Sequence, residues 1–144
     1  MKILNKLCDV SKNPKAVTIG NFDGVHKGHQ ALINKTKEVS TKHNVESLIF
    51  TFNKLPKEIF SPDTVQRLYD SKIKESILSS YKVDTLLSID FNEIKDYSAD
   101  FFCEEILIKK LNAQYLIIGE NFKFGKARSG DIEKLRKYDN KKAF

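Results

Sequence analysis

The segment Thr18–Ile33, TIGNFDGVHKGHQALI, sets two histidines, His26 and His29, three residues apart with Gly28 between them. A neutral imidazole or an imidazolium donates hydrogen bonds to phosphate oxygens, and a neutral one also ligates metals. Gly20, Gly24 and Gly28 recur at four-residue intervals. Glycine permits tight turns and close approach of a ligand to the backbone. A helix starting near Gly28 would aim its unpaired N–H groups and the positive end of its dipole at the same place, where an anion fits. The pair can therefore be read as phosphate contacts, as metal ligands, or as loop residues with ordinary partners. Metal binding needs further ligands, and His43, the other histidine, falls at the far end of the predicted helix. The glycines, Asp23 and the strand-to-helix switch favour a nucleotide phosphate. The segment fits neither G-x-x-x-x-G-K-[ST] nor G-x-G-x-x-G.

Such residues need a scaffold that holds them at one edge. KAVTIGNF (15–22), ESLIFTF (46–52), VDTLLSI (83–89) and AQYLIIG (113–119) are short, continuous apolar runs, which predict buried strands. Helical spacing is seen over 28–44 and over 63–81, where Val65, Leu68, Tyr69, Ile73, Ile77, Leu78 and Tyr81 form a stripe. SADFFCEEILIKKLN (98–112) predicts a helix with Ser98 as N-cap, Asp100 in the first turn, and Lys109 and Lys110 in the last. A short terminal helix is expected from Asp131. Strands alternating with helices predict an α/β fold, a parallel sheet with helices on both faces. In such sheets ligands bind beyond the carboxyl ends of the strands. The two most unusual loops, GNFDGVHKGH and GENFKFGKARSG, both follow predicted strand ends.

The chain has 144 residues, 40% hydrophobic and 31% charged, with a net charge of +6. That length predicts one domain able to bury about 70% of the surface its unfolded form exposes. No run approaches the roughly 18 apolar residues a membrane span needs. The opening stretch, broken by Asn5, Lys6 and Asp9, does not read as a signal peptide, so the cytoplasm is the expected compartment. The lysines are scattered, which suits a phosphorylated metabolite better than nucleic acid. Cys8 and Cys103 lack zinc spacing, and Cys103, inside FFCEEILI, reads as packing.

The string GNFDGVHKGH contains H-x-G-H, the signature of a nucleotidyltransferase superfamily, and the longer GNFDGVHxGHQ resembles the adenylyltransferase (FAD synthetase) domain of bacterial bifunctional riboflavin kinase/FMN adenylyltransferases. TFNKLPKEIF (51–60) resembles that family's loop after its second strand. The stretch 98–131 resembles its helix, fourth strand and G-[DE]-[ND]-F-x-F-G loop. The resemblance implies a Rossmann-like nucleotidyltransferase fold and transfer of AMP from ATP to FMN with Mg²⁺, giving FAD and pyrophosphate. It implies no covalent intermediate; the scattered charge and the short apolar runs point to no nucleic-acid or membrane partner, and no residue is singled out as a metal ligand. Oligomeric state is left open.

By the same resemblance His26 and His29 contact the ATP phosphates. Gly20, Asn21, Phe22, Asp23, Gly28 and Pro56 line the nucleotide site. Asn121, Phe122, Phe124 and Arg128 serve the flavin or a phosphate, with Asn121 on phosphate or the metal-bound substrate. For Phe122 and Phe124 loop anchoring is an equal reading, and for Lys123, Lys126 and Arg128 a solvated loop charge is the simpler one. Two departures stand out. Lys54 and Leu55 replace the family's first proline and its histidine in T-F-x-P-H-P. A downstream S-S-T-x-x-R motif is missing; Thr64 and Arg67 spell T-x-x-R, but ahead of the third predicted strand. The domain therefore reads as residues 1–144, truncated at its C-terminus and without a riboflavin kinase domain. Other readings are an H-x-G-H transferase of the phosphopantetheine adenylyltransferase or cytidylyltransferase type, and a catalytically silent nucleotide- or flavin-binding domain.

Overall fold

A computed structural model describes residues 2–22, 27–54, 73–119 and 122–136. Five parallel strands run through it: β1 (Lys2–Leu4), β2 (Lys15–Ile19), β3 (Glu46–Lys54), β4 (Thr85–Asp90) and β5 (Ala113–Ile117). The helices are α1 (Lys27–His43), α2 (73–79), α3 (Ala99–Phe101, continuing through Phe102–Lys110) and α4 (Ile132–Arg136). The order across the sheet is β1-β4-β3-β2-β5. From β2 the chain steps outward through β3 to β4, with β1 beyond it. It then returns and lays β5 on the opposite side of β2. The chain thus changes direction between β2 and β5, and the loops leaving their carboxyl ends diverge there, as at the ligand crevice of open α/β sheets.

Alternation along the strands separates two cores. Val17, Ile19, Leu48, Phe50, Leu87 and Ile89 pack with Phe102, Cys103, Ile106 and Leu107 of α3. Ile49 and Leu86 pack on the other face with Phe22, Ile33 of α1, Leu78 of α2 and Val83. Helices therefore cover both faces, as the alternation predicts. Every residue of β2 is buried, in keeping with a central strand.

The predicted elements are all met where described, with shifts. The runs 15–22 and 113–119 stop as strands at Ile19 and Ile117, because their glycine-led ends turn away into loops. Residues 63–72 of the predicted second helix lie outside the described residues. β1 is an addition: its three residues pair with Thr85, Leu86 and Leu87 of β4, too short a run to announce itself. Segment 98–112 is capped as expected, the Ser98 hydroxyl accepting from the Phe101 N–H at 3.1 Å. Beyond Phe101, however, α3 winds as a π-helix, and the Leu111 N–H reaches back five residues to the Ile106 carbonyl at 2.9 Å. Phe102, Cys103, Ile106 and Leu107 on this coil are all buried.

At the edge of the sheet away from the strand ends, Lys15 is fully buried. Its ammonium donates to the carbonyls of Ser11, Asn13 and Leu111, tying the β1–β2 link to the end of α3. Burial holds its pKa below the ordinary lysine value. Cys8 is exposed and Cys103 buried, and they form no disulfide. Burial pushes the Cys103 thiol up to about 12. Among the described residues, no helix is long and apolar enough to cross a membrane.

Candidate active site

Two loops frame the site. The first leaves β2. The Gly20 N–H donates to the Phe50 carbonyl at 3.1 Å, carrying the β2–β3 pairing one residue past the strand. The next carbonyl, that of Asn21, accepts from the Thr51 hydroxyl at 3.0 Å and from the Lys74 ammonium at 2.8 Å. Lys74 also donates to the Phe52 carbonyl at 2.8 Å, so one side chain of α2 joins the ends of β2 and β3. Phe22 follows with φ at 53°, a left-handed conformation uncommon for a bulky side chain. Its ring is 1% exposed and meets the His29 imidazole edge-on, centroids 5.1 Å apart.

Gly28 and His29 occupy the first turn of α1, which carries no acidic residue. The positive end of the dipole there meets no carboxylate from its own first turn, which suits an arriving anion.

The second loop leaves β5. Phe124 and Gly130 pair as an antiparallel bridge, with N–H to carbonyl distances of 3.1 and 2.8 Å. The Lys126 N–H donates to the Tyr97 carbonyl at 2.7 Å and pins the loop ahead of α3. Gly125, at φ 79°, lies so close to α3 that a Cβ there would stand 2.9 Å from the Ala99 Cα. Lys134 of α4 reaches Asp100 at 2.8 Å and fastens the far side of the loop to the same helix start.

Between the two loops and the end of β3 lies a pocket of about 400 Å³. Its floor and walls are Ile19, Gly20, Asn21, Phe52, Phe91, Ile94, Phe102, Phe122, Phe124 and Gly125. The rings touch in pairs: Phe52 on Phe91 at 5.3 Å, Phe102 on Phe124 at 5.4 Å, and Phe122 stacked on Phe124 at 5.6 Å. Among the described residues, the charged ones lining it are Lys95, Lys123 and Arg128, all cationic. Lys123 also lies 3.8 Å from the Asp131 carboxylate. Aromatic walls with a basic rim suit a flat aromatic ligand that carries an anionic tail. They do not suit a bare cation. Among the described residues, no group of three His, Cys, Asp or Glu could hold a metal ion.

Of the residues singled out from sequence, Gly20, Asn21, Phe122, Phe124 and Arg128 meet around this pocket. Gly28 and His29 stand at the helix start. Phe22 is different from the expectation that it lines the nucleotide site: its ring is committed to the core, beside Ile33, Ile49 and Leu78. Its contribution to the site is the turn it makes and the surface it gives His29. Asp23, His26, Pro56 and Asn121 lie outside the described residues, as do Gly24, Leu55, Thr64 and Arg67. Phe52, Phe91, Phe102 and Lys95 were missed. They come from β3, the turn after β4, and α3, and only the topology brings them together.

The sequence pattern of the FAD synthetase family matches residues 8–144. The bifunctional riboflavin kinase/FMN adenylyltransferase of Buchnera aphidicola subsp. Schizaphis graminum is 37% identical over 140 residues, covering 94% of this chain and 45% of that protein. The Escherichia coli K12 protein of the same name is 34% identical over 142 residues, covering 95% and 45%. The chain thus spans a little under half the length of these relatives. A solved Streptococcus pneumoniae structure, described as a macrolide-efflux protein, superposes with a TM-score of 0.71 at 26% identity, covering 94% of this chain and 46% of that one. Fold, site and matches together define a Rossmann-like α/β domain of the nucleotidyltransferase class. Within that class, the chain belongs to the FAD synthetase family.

Proposed function

We propose that residues 1–144 form an FMN adenylyltransferase domain that moves AMP from ATP to FMN. An oxygen of the FMN phosphate attacks the α-phosphorus of ATP in line. The bond from that phosphorus to the bridging oxygen breaks, and pyrophosphate leaves. No side chain need enter a covalent bond, so the work is positioning and charge stabilisation. The observation that carries the reading is the aromatic, basic-rimmed pocket at the carboxyl ends of β2 and β3, at the point where the strand order reverses.

In this reading the isoalloxazine lies among Phe52, Phe91, Phe122 and Phe124, and the flavin phosphate points to the basic rim with Arg128. Asn121, next to Phe122 in the sequence, is assigned to that phosphate by the resemblance. The triphosphate lies against the start of α1, where His26, Gly28 and His29 donate to it. Gly20, Asn21, Asp23 and Pro56 border the nucleotide. Mg²⁺ would be held by the phosphates and water, as that small hard ion prefers, rather than by this basic lining. The cytoplasm, where ATP and phosphorylated flavin are at hand, is the proposed compartment.

Incubation with ATP, MgCl₂ and FMN, followed by chromatography, is expected to yield FAD and pyrophosphate. FMN and Mg·ATP should each raise the melting temperature at millimolar concentration, since a ligand at 100 times its Kd adds about 2.7 kcal/mol. No shift with either ligand, together with no FAD, would overturn the proposal. FMN fluorescence should fall on binding, and Phe124→Ala should weaken that binding about tenfold or more, given that burial of an aromatic contact contributes about 1.5–3 kcal/mol.

A further inference from the structure

We infer that Lys74 is a positioning residue for the nucleotide site, the clasp that sets the turn between β2 and α1. The inference rests on the functional reading above only for its kinetic consequence. The ammonium bridges two main-chain carbonyls, Asn21 two residues past the end of β2 and Phe52 in β3, each at 2.8 Å. Both residues line the aromatic pocket.

The Asn21 carbonyl belongs to the peptide that joins Asn21 to Phe22. Its orientation is held from two sides, by Lys74 and by the Thr51 hydroxyl at 3.0 Å. Immediately after that peptide the chain takes φ 53° at Phe22. A β-carbon makes this conformation unfavourable, so it persists only when the surroundings over-determine it. The clasp on one side and the buried Phe22 ring on the other provide that. The ring in turn lies edge-on to His29 at 5.1 Å. A short physical path therefore runs from the ammonium of α2, through one peptide and one ring, to the imidazole at the start of α1. A charged donor suits this place because hydrogen bonds to ionised groups are stronger than neutral ones. One ammonium also reaches two carbonyls on separate strands.

The path predicts that Lys74 acts on the chemical step through His29 rather than by adding to overall stability alone. Two histidines supply the readout. His29 lies at the end of the path, and His43 stacks on Tyr115 at 4.3 Å, at the other end of α1. Lys74→Met should displace the His29 imidazole signals in a ¹H–¹³C spectrum and leave those of His43 in place. It should lower kcat for FAD formation about tenfold or more while changing the FMN KM less. Lys74→Arg, which keeps a charged donor, should restore part of both. If Lys74→Met does not fold, Lys74→Gln, which retains one donor to one carbonyl, is read by the same signals. Unmoved His29 signals with unchanged kcat in a folded variant would overturn the inference. So would equal displacement of His29 and His43, which marks general loosening. If the unaltered chain makes no FAD, the functional reading fails on that ground, and the His29 signals still decide whether the clasp exists.

Discussion

His29 stands at the start of α1 with one side of its ring against Phe22, a placement that leaves an imidazole held in a defined orientation at the positive end of a helix. A group preorganised in this way is worth about 10²–10³ in kcat when it stabilises charge that develops during reaction. His29→Ala is accordingly expected to cut FAD formation by that factor while the melting temperature moves little, which steady-state assay and thermal denaturation would show together. Cys103 makes the opposite case. Its thiol is buried and its pKa is raised to about 12 by burial, so in the folded chain it should resist iodoacetamide at pH 8 while exposed Cys8 reacts; mass spectrometry of the labelled peptides checks this. The sign of the linkage follows. Above the ordinary thiol value of 9.0 the unfolded chain releases this proton and the folded chain keeps it, so the contribution to stability declines as pH climbs from there towards 12. The burial of Cys103 was legible from its apolar neighbours in FFCEEILI. The direction of Phe22 was not, because a motif specifies spacing, and only the left-handed turn sends that ring into the core.

Among elements, the loop that follows β5 depends on contacts rather than on any regular structure of its own. Gly125 has both a left-handed φ and a Cβ position 2.9 Å from the Ala99 Cα. Gly125→Ala must strain the backbone or push the loop off α3, at roughly 1–3 kcal/mol. Because Phe122 and Phe124 flank it, the same change should raise the FMN KM more than it lowers kcat, a split that initial-rate kinetics would resolve. Element identity was largely legible: the four apolar runs became β2 to β5, and Ser98 caps α3 as its type and place suggest. The winding of α3 was not, since the hydrophobic spacing of 102–111 fits a helix of either pitch and the choice is made by packing against the sheet. Nor was β1, whose three residues become a strand only through the ladder β4 offers. The aromatic pocket was half legible, through Phe122 and Phe124 in one unusual loop. Phe52, Phe91 and Phe102 lie in separate segments, and no local pattern links them.

At the scale of the whole molecule, the sheet is fastened at the end opposite the site by Lys15, whose three carbonyl partners belong to the link before β2 and the end of α3. Lys15→Met would take the charged donor from the buried Leu111 carbonyl and from two part-buried ones, at about 1–3 kcal/mol. The expected result in urea is a lower midpoint with an unchanged slope and, below that midpoint, near-normal FAD formation. The strand order has a consequence for how the domain yields under stress. β1 contributes three residues at an outer edge, whereas fully buried β2, which leads on to the Gly20–Phe22 segment, has a partner on either side. Amide protons of Ile3 and Leu4 should trade with deuterium early, and those of Val17 and Ile19 last of all. The margin can fray and heal while the pocket between β2 and β5 keeps its shape.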